Sequence, residues 1–276
     1  MAPALEVPAG FATGLAVGVI SAVAGIGGGV LMVPFLYLVY APTGASVSAQ
    51  TLVAHATSLG VAFVAASVGT WRYAAARAIL WLPALVYSLP GIASAFLTAR
   101  ILTRAGGAHW VRAAFGLFLL ASAWDLARRA RSPQQPDPDP PQAPHSWAWL
   151  GGIGLLGGAM SALLGIGGGL IAVPALLYVG RLPVRAVAPT ALAGVCLTTL
   201  SGGLAYLTAA AAPPLSPWMA GFVDLRMALA LAAGAVVTVP LGVRVNRRSS
   251  SVTLYHLFAF TFAILAGAIL WSWVRR

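Results

Sequence analysis

Long apolar stretches alternate with short polar ones along the chain, in an order that occurs twice. The first apolar block, residues 10 to 41, is interrupted by Gly25-Ile26-Gly27-Gly28-Gly29 and then by Pro34. It is too long for one simple bilayer crossing and too broken for one straight helix. Blocks at about 51 to 70, 78 to 99 and 108 to 127 follow, each close to the ~20 residues that cross a hydrocarbon core as a helix. A second set then appears, with a broken block at 147 to 180 and further blocks at about 187 to 210, 225 to 245 and 253 to 274. None alternates apolar with polar residues, so helices are predicted and a closed β-barrel is not.

Between the two sets lies RSPQQPDPDPPQAPHS, residues 131 to 146, which reads as an exposed extended linker. It divides the chain into a first membrane repeat, residues 1 to 130, and a second, residues 147 to 276. A motif ties the two together. Ser21-Ala-Val-Ala-Gly25-Ile-Gly-Gly-Gly29-Val-Leu-Met-Val33-Pro34 recurs 140 residues later as Ser161-Ala-Leu-Leu-Gly165-Ile-Gly-Gly-Gly169-Leu-Ile-Ala-Val173-Pro174, identical at nine of fourteen positions. Thr57-Ser58-Leu59 then resembles Thr190-Ala191-Leu192, with a shorter loop in the second half.

Composition agrees with lipid as the solvent. Only 8% of residues are charged, where a soluble domain carries about a quarter. The formal charge of +11 comes from sixteen Arg and no Lys. These arginines sit mainly between or beside apolar blocks, which suits membrane orientation and argues against a nucleic-acid partner. If each broken block spans the membrane, the halves are parallel and the arginines divide evenly. If each is a re-entrant hairpin, the halves are inverted, and one side holds Arg72, Arg77, Arg128, Arg129, Arg131, Arg181, Arg185, Arg244, Arg247 and Arg248. The positive-inside rule favours the second arrangement, with both termini outside. The expected fold is therefore an all-α polytopic membrane protein of two homologous halves, each a broken or re-entrant helical hairpin plus three transmembrane helices. The first apolar stretch lacks the features of a secretory signal and is expected to be retained.

Candidate chemistry begins with the glycine runs. Each Gly in a helix costs about 1 kcal/mol relative to Ala, and unwound backbone survives in a membrane only where it is buried in protein or lines a wet cavity. Paired breaks near the midplane mark the central site of many transporters. Half-helices beginning near Gly29 and Gly169 offer N–H donors and partial positive charge to a small anion. The competing reading is close helix packing by small residues. After each break a polar stripe follows, Thr51, His55 and Ser58 with Thr57 beside them, and Thr190, Gly194, Thr198 and Ser201 in the second half. These groups suit either oxyanion recognition or interhelical hydrogen bonding. His55 is a proton acceptor or a structural histidine. Asp224 and Arg226 are read as helix-start residues, with capping favoured over coupling. The single Cys196 excludes an intramolecular disulfide, and the tryptophans near block ends, such as Trp71, Trp81, Trp110, Trp147, Trp218 and Trp271, read as interfacial anchors.

The doubled S-x-x-x-G-I-G-G-G-x-x-x-V-P motif, the following Thr-Ser-Leu, the basic residues after the third block of each half and the eight-block layout resemble the TauE/SafE family of sulfite exporters. The resemblance covers nearly the whole chain, and Thr190-Ala191 departs from a second Thr-Ser pair. It implies a multi-pass transporter of a bacterial inner membrane, moving sulfite, thiosulfate, sulfoacetate or a similar sulfonate. No metal, cofactor or catalytic residue is expected; the partners are a small anionic sulfur-containing solute and the lipid bilayer, with self-association left open. The expected solute site comprises Ser21, Gly25, Gly27, Gly28, Gly29, His55, Thr57, Ser58, Ser161, Gly165, Gly167, Gly168, Gly169, Thr190 and Thr198, working by alternating access. A passive anion channel is the alternative. An intramembrane enzyme is disfavoured, because no G-x-S-x-G surrounds either serine and His55 lacks an evident carboxylate partner.

Overall fold

The computed structural model describes residues 3–105, 146–209 and 216–274, with scattered positions between 117 and 131. Most of the fourth apolar block, 108 to 127, and nearly all of the predicted linker, 131 to 146, lie outside the described residues, as does Trp110.

Helix α1 (Pro3–Ala24) stops at the first glycine run and α2 (Gly29–Tyr40) starts directly after it. A short 3-10 turn, Ala41–Thr43, leads to α3 (Val47–Ala75), whose first turn is capped by the Ser46 hydroxyl accepting from the Ala49 N–H. Helix α4 (Trp81–Ala105) follows. From Trp147 the order returns. Helix α5 (Trp147–Leu164) stops at the second glycine run, and α6 (Gly169–Pro174) starts after it and continues as a π-helical segment, Ala175–Val179. Then come α7 (Val184–Leu207), a two-stranded antiparallel ribbon of β1 (Met219–Ala220) and β2 (Val223–Asp224), α8 (Leu225–Arg248) and α9 (Ser251–Val274). Among the described residues, α1, α3, α4, α5, α7 and α8 are long and apolar enough to cross a membrane. The chain is thus an all-α polytopic membrane protein.

The breaks fall where they do because of backbone conformation. Gly25, Gly27 and Gly28 have φ of 71°, 79° and 79°, and Gly165, Gly167 and Gly168 have 67°, 94° and 72°. Three left-handed residues in four are accessible to glycine and strained for any residue with a Cβ. The two arms of each broken hairpin are unequal: α1 runs for 22 residues and α2 for 12. The first arm alone is therefore of crossing length, longer than a half-helix.

Hydrogen bonds fix the direction of each packed pair. Along α1 and α8, the Arg226 guanidinium pairs with the Glu6 carboxylate, Thr238 Oγ1 donates to the Leu15 carbonyl at 2.6 Å and Asn246 Nδ2 to the Val23 carbonyl at 2.8 Å. Residue numbers rise together, so these helices run the same way. Helices α4 and α5 do likewise, with Ser94 Oγ donating to the Leu155 carbonyl at 2.7 Å and Gly154 against the Tyr87 backbone. Helix α8 also runs with α3, and α7 with α4. Helices α3 and α7 oppose each other: Gly69 meets Leu192, Ser67 meets Cys196, and Gly202 meets Leu59. Thus α1, α3 and α8 point one way and α4, α5 and α7 the other. Glycines at 14, 18 and 234, and at 91, 154 and 158, let backbones approach closely along the tightest pairs.

The packing interleaves the two ends of the sequence. Helix α1 lies most extensively on α8, and α5 on α4. The apolar core forms two clusters, one centred on α1, α2, α3 and α8 and the other on α5, α6, the start of α7 and α9. Arg72, Arg77, Arg181, Arg185, Arg244, Arg247 and Arg248 lie at the bundle end where α3 and α8 finish and α7 begins, while Arg100, Arg104 and Arg226 lie at the opposite end. Trp71, Trp81, Trp147 and Trp218 are exposed near helix ends, as membrane-interface aromatics are.

Candidate functional site

The two glycine breaks meet. A Cβ built on Gly169 would overlap the Gly25 carbonyl oxygen and Ile26 Cα, and one built on Gly29 would overlap the Gly165 carbonyl oxygen and Ile166 Cα. The starts of α2 and α6 are therefore brought together in backbone contact that only hydrogen side chains permit. Residues 25–29 and 165–169 are all buried. Around them stand α3 and α7: Gly25 abuts the Ala188 backbone, Gly165 abuts His55 and Ser58, and Gly27 and Gly167 both touch Val195.

Neither helix start carries a side-chain cap. Gly28 and Gly168 occupy the capping positions and have no side chain to offer. Their carbonyls close the first turns, Gly28 accepting from Leu31 N–H at 3.3 Å and Gly168 from Ala172 N–H at 3.0 Å. Beside each lies a serine. Ser21 Cβ lies against Gly28 and Ser161 Cβ against Gly168. Ser21 is 0% exposed and Ser161 1%, and neither hydroxyl has a hydrogen-bond partner among the described residues. An unsatisfied buried hydroxyl costs about 1–3 kcal/mol, and two such groups occupy equivalent positions of the doubled motif. A hydroxyl donor beside an uncapped helix start is a chemical environment for a small anion.

The remaining predicted residues divide by what they hold. Ser58 Oγ donates to the Gly165 carbonyl at 2.6 Å and His55 Nε2 lies 2.9 Å from the Tyr37 hydroxyl, so both buttress the second break and the α2–α3 contact. Thr198 bonds back to the carbonyls of Gly194 and Val195, with its hydroxyl facing Gly168. Thr57 and Thr190 point elsewhere. Thr57 Oγ1 accepts from the Asp224 N–H at 3.0 Å and Thr190 Oγ1 from the Leu80 N–H at 3.1 Å. Each anchors the residue just before a helix, α8 or α4, and their hydroxyls serve the scaffold. Asp224 caps α8, its carboxylate accepting from the N–H groups of Arg226 and Met227 and from the Tyr40 hydroxyl.

Tyrosines are what the sequence reading missed. Tyr73 donates to the Ala22 carbonyl at 2.8 Å and Tyr206 to the Ala162 carbonyl at 3.1 Å, each holding the helix that leads into a break. Tyr87 donates to the Gly168 carbonyl at 3.2 Å. A signal for the first two was present: Tyr73 follows Thr57 at the same distance as Tyr206 follows Thr190.

Comparison with known proteins places the chain. The family model for the sulfite exporter TauE/SafE matches residues 10–269. A probable membrane transporter protein of Methanocaldococcus jannaschii, MJ0441, is 25% identical over 237 residues, covering 86% of this chain and 85% of its own. The probable membrane transporter protein YunE of Bacillus subtilis is 21% identical over 275 residues, covering 94% and 95%. One from Xylella fastidiosa is 30% identical over 184 residues, covering 63% and 60%. No solved structure matches the chain significantly. With a match running through both glycine breaks and nearly every helix, the chain belongs to the TauE/SafE family of membrane transporters.

Proposed function

We propose that the paired breaks hold a small sulfur oxyanion or organosulfonate, of the sulfite, thiosulfate or sulfoacetate type, and release it alternately to the two sides of a bacterial inner membrane. The observation that carries this reading is the pair of buried, unpartnered hydroxyls, Ser21 and Ser161, each beside an uncapped helix start. Two hydroxyls and two sets of first-turn N–H groups, with no carboxylate among the break residues, suit a compact anion with several acceptor oxygens. Burial of both breaks suits an occluded carrier site better than an open channel.

The two halves are read as inverted repeats. The opposite directions of α1 and α5, of α3 and α7, and of α4 and α8 support it, as do the duplicated bonds of Tyr73 and Tyr206 and of Thr238 and Ser94. The arginine-rich end then faces the cytoplasm. Because α1 packs on α8 and α5 on α4, the moving bodies are two lobes that each draw helices from both halves, hinged where α3 crosses α7.

Flux into proteoliposomes tests the proposal. Purified protein is expected to give saturable movement of sulfite, thiosulfate or sulfoacetate, with each anion competing against the others. Folded protein that moves none of them while carrying a neutral or cationic solute overturns it.

A further inference from the structure

The ends of α3 and α8 enclose a cleft of about 520 Å³ whose rim carries Arg72, Arg244, Arg247 and Arg248, over a floor that includes Pro240 and Val243. Among the described residues, no Asp or Glu lines it. Membrane orientation requires only that arginines lie on one side. Here guanidiniums from two helices converge on one recess, where like charges repel. The C-terminal dipoles of α3 and α8 offset part of that charge, about half an elementary charge per helix end. The rest calls for an anion from outside the protein.

We propose that this cleft seats the phosphate group of an anionic phospholipid. Guanidinium forks match phosphate oxygens in bidentate geometry, and basic pockets between transmembrane helices are suited to phospholipid headgroups. The surroundings favour lipid over a free ion. Trp71, beside the rim, is 64% exposed, with the Arg72 guanidinium 4.9 Å above its ring, and Val237, Leu241 and Val245 of α8 are exposed and apolar. A headgroup in the cleft thus has a surface for its acyl chains alongside. The positive rim selects a net-negative headgroup over one that also carries an ammonium. The inference is independent of the transport reading, since none of these residues belongs to the glycine breaks.

Native mass spectrometry of the purified protein in detergent, titrated with phosphatidylglycerol or phosphatidylcholine, tests it. Wild-type protein is expected to retain phosphatidylglycerol and not phosphatidylcholine. The double variant Arg72→Gln/Arg247→Gln is expected to bind about 25-fold more weakly, at roughly fivefold per arginine. Arg100→Gln/Arg104→Gln, at the opposite end, should bind as wild type, and Arg72→Lys/Arg247→Lys, which keeps the charge, should retain most of the affinity. Equal binding by the glutamine variant, or equal binding of phosphatidylcholine, overturns the site. A third arm adds inorganic phosphate: failure to displace the lipid supports a headgroup site, and displacement at millimolar concentration overturns the lipid assignment.

Discussion

Gly169 lies so close to Gly25 that a methyl group on it would occupy the space of the Gly25 carbonyl oxygen, and Gly29 stands in the same relation to Gly165. Two helix starts are thereby locked together through backbone atoms, which cannot move aside as a side chain can. Gly169→Ala and Gly29→Ala are each expected to lower stability by about 1–3 kcal/mol through overpacking, and to abolish flux. Gly44→Ala is the comparison, because Gly44 has a φ of 69° but open space around it. That variant should lose about 1 kcal/mol from backbone strain and keep its flux. Thermal unfolding in detergent with paired flux measurements separates them; unaltered stability in Gly169→Ala contradicts the contact.

The serines beside the breaks give the sharper test of solute binding. Ser21→Ala and Ser161→Ala remove hydroxyls without a partner among the described residues, so folding should be unaffected or slightly improved. Loss of a hydrogen bond to a charged guest, about 1.5–3 kcal/mol, is expected to raise the apparent KM for the anion roughly 10- to 100-fold. Ser58→Ala should behave in reverse, losing stability because the Gly165 carbonyl is left without its donor. An unchanged KM in the Ser21→Ala/Ser161→Ala double variant removes the serines from the site.

Much of this architecture could be read from the sequence, and the reason is local. Three glycines inside an apolar block cost a helix about 1 kcal/mol each, and apolar length alone marks the crossing segments, so the two breaks at Gly25–Gly29 and Gly165–Gly169 are legible without tertiary information. Which hydroxyls face the breaks did need it. Thr57 and Ser58 are neighbours on α3, yet Ser58 reaches Gly165 and Thr57 turns to Asp224, because adjacent helical residues point about 100° apart. The roles of Tyr87 and Tyr73 are hidden in the sequence for a related reason. A buried tyrosine in an apolar block looks like core until the carbonyl it serves is known, here Gly168 and Ala22.

Motion at the α3–α7 crossing is testable with a cysteine already present. Ser67 Oγ lies 3.2 Å from Cys196 Sγ, so Ser67→Cys creates a pair with a single partner and no competing thiol. Oxidation should join α3 to α7, and if the lobes hinge there, flux is expected to fall to background and to recover on reduction. Flux that continues at full rate in quantitatively cross-linked protein shows that this crossing does not move during transport.

Asp224 separates a structural acid from a coupling one. It is 2% exposed, and its carboxylate accepts two backbone N–H groups at the start of α8 together with the Tyr40 hydroxyl. Removing those acceptors in Asp224→Ala should cost about 0.5–2 kcal/mol for the cap and about 1–3 kcal/mol for the stranded hydroxyl. Asp224→Asn retains an oxygen acceptor with similar capping strength, so its melting temperature should fall much less. The same pair decides the functional role. A cap needs an acceptor and no charge, so Asp224→Asn is expected to keep gradient-driven flux wherever it keeps the fold. A proton carrier needs the ionisable carboxyl, and a well-folded Asp224→Asn protein whose flux no longer responds to a proton gradient would transfer Asp224 from the scaffold to the coupling machinery.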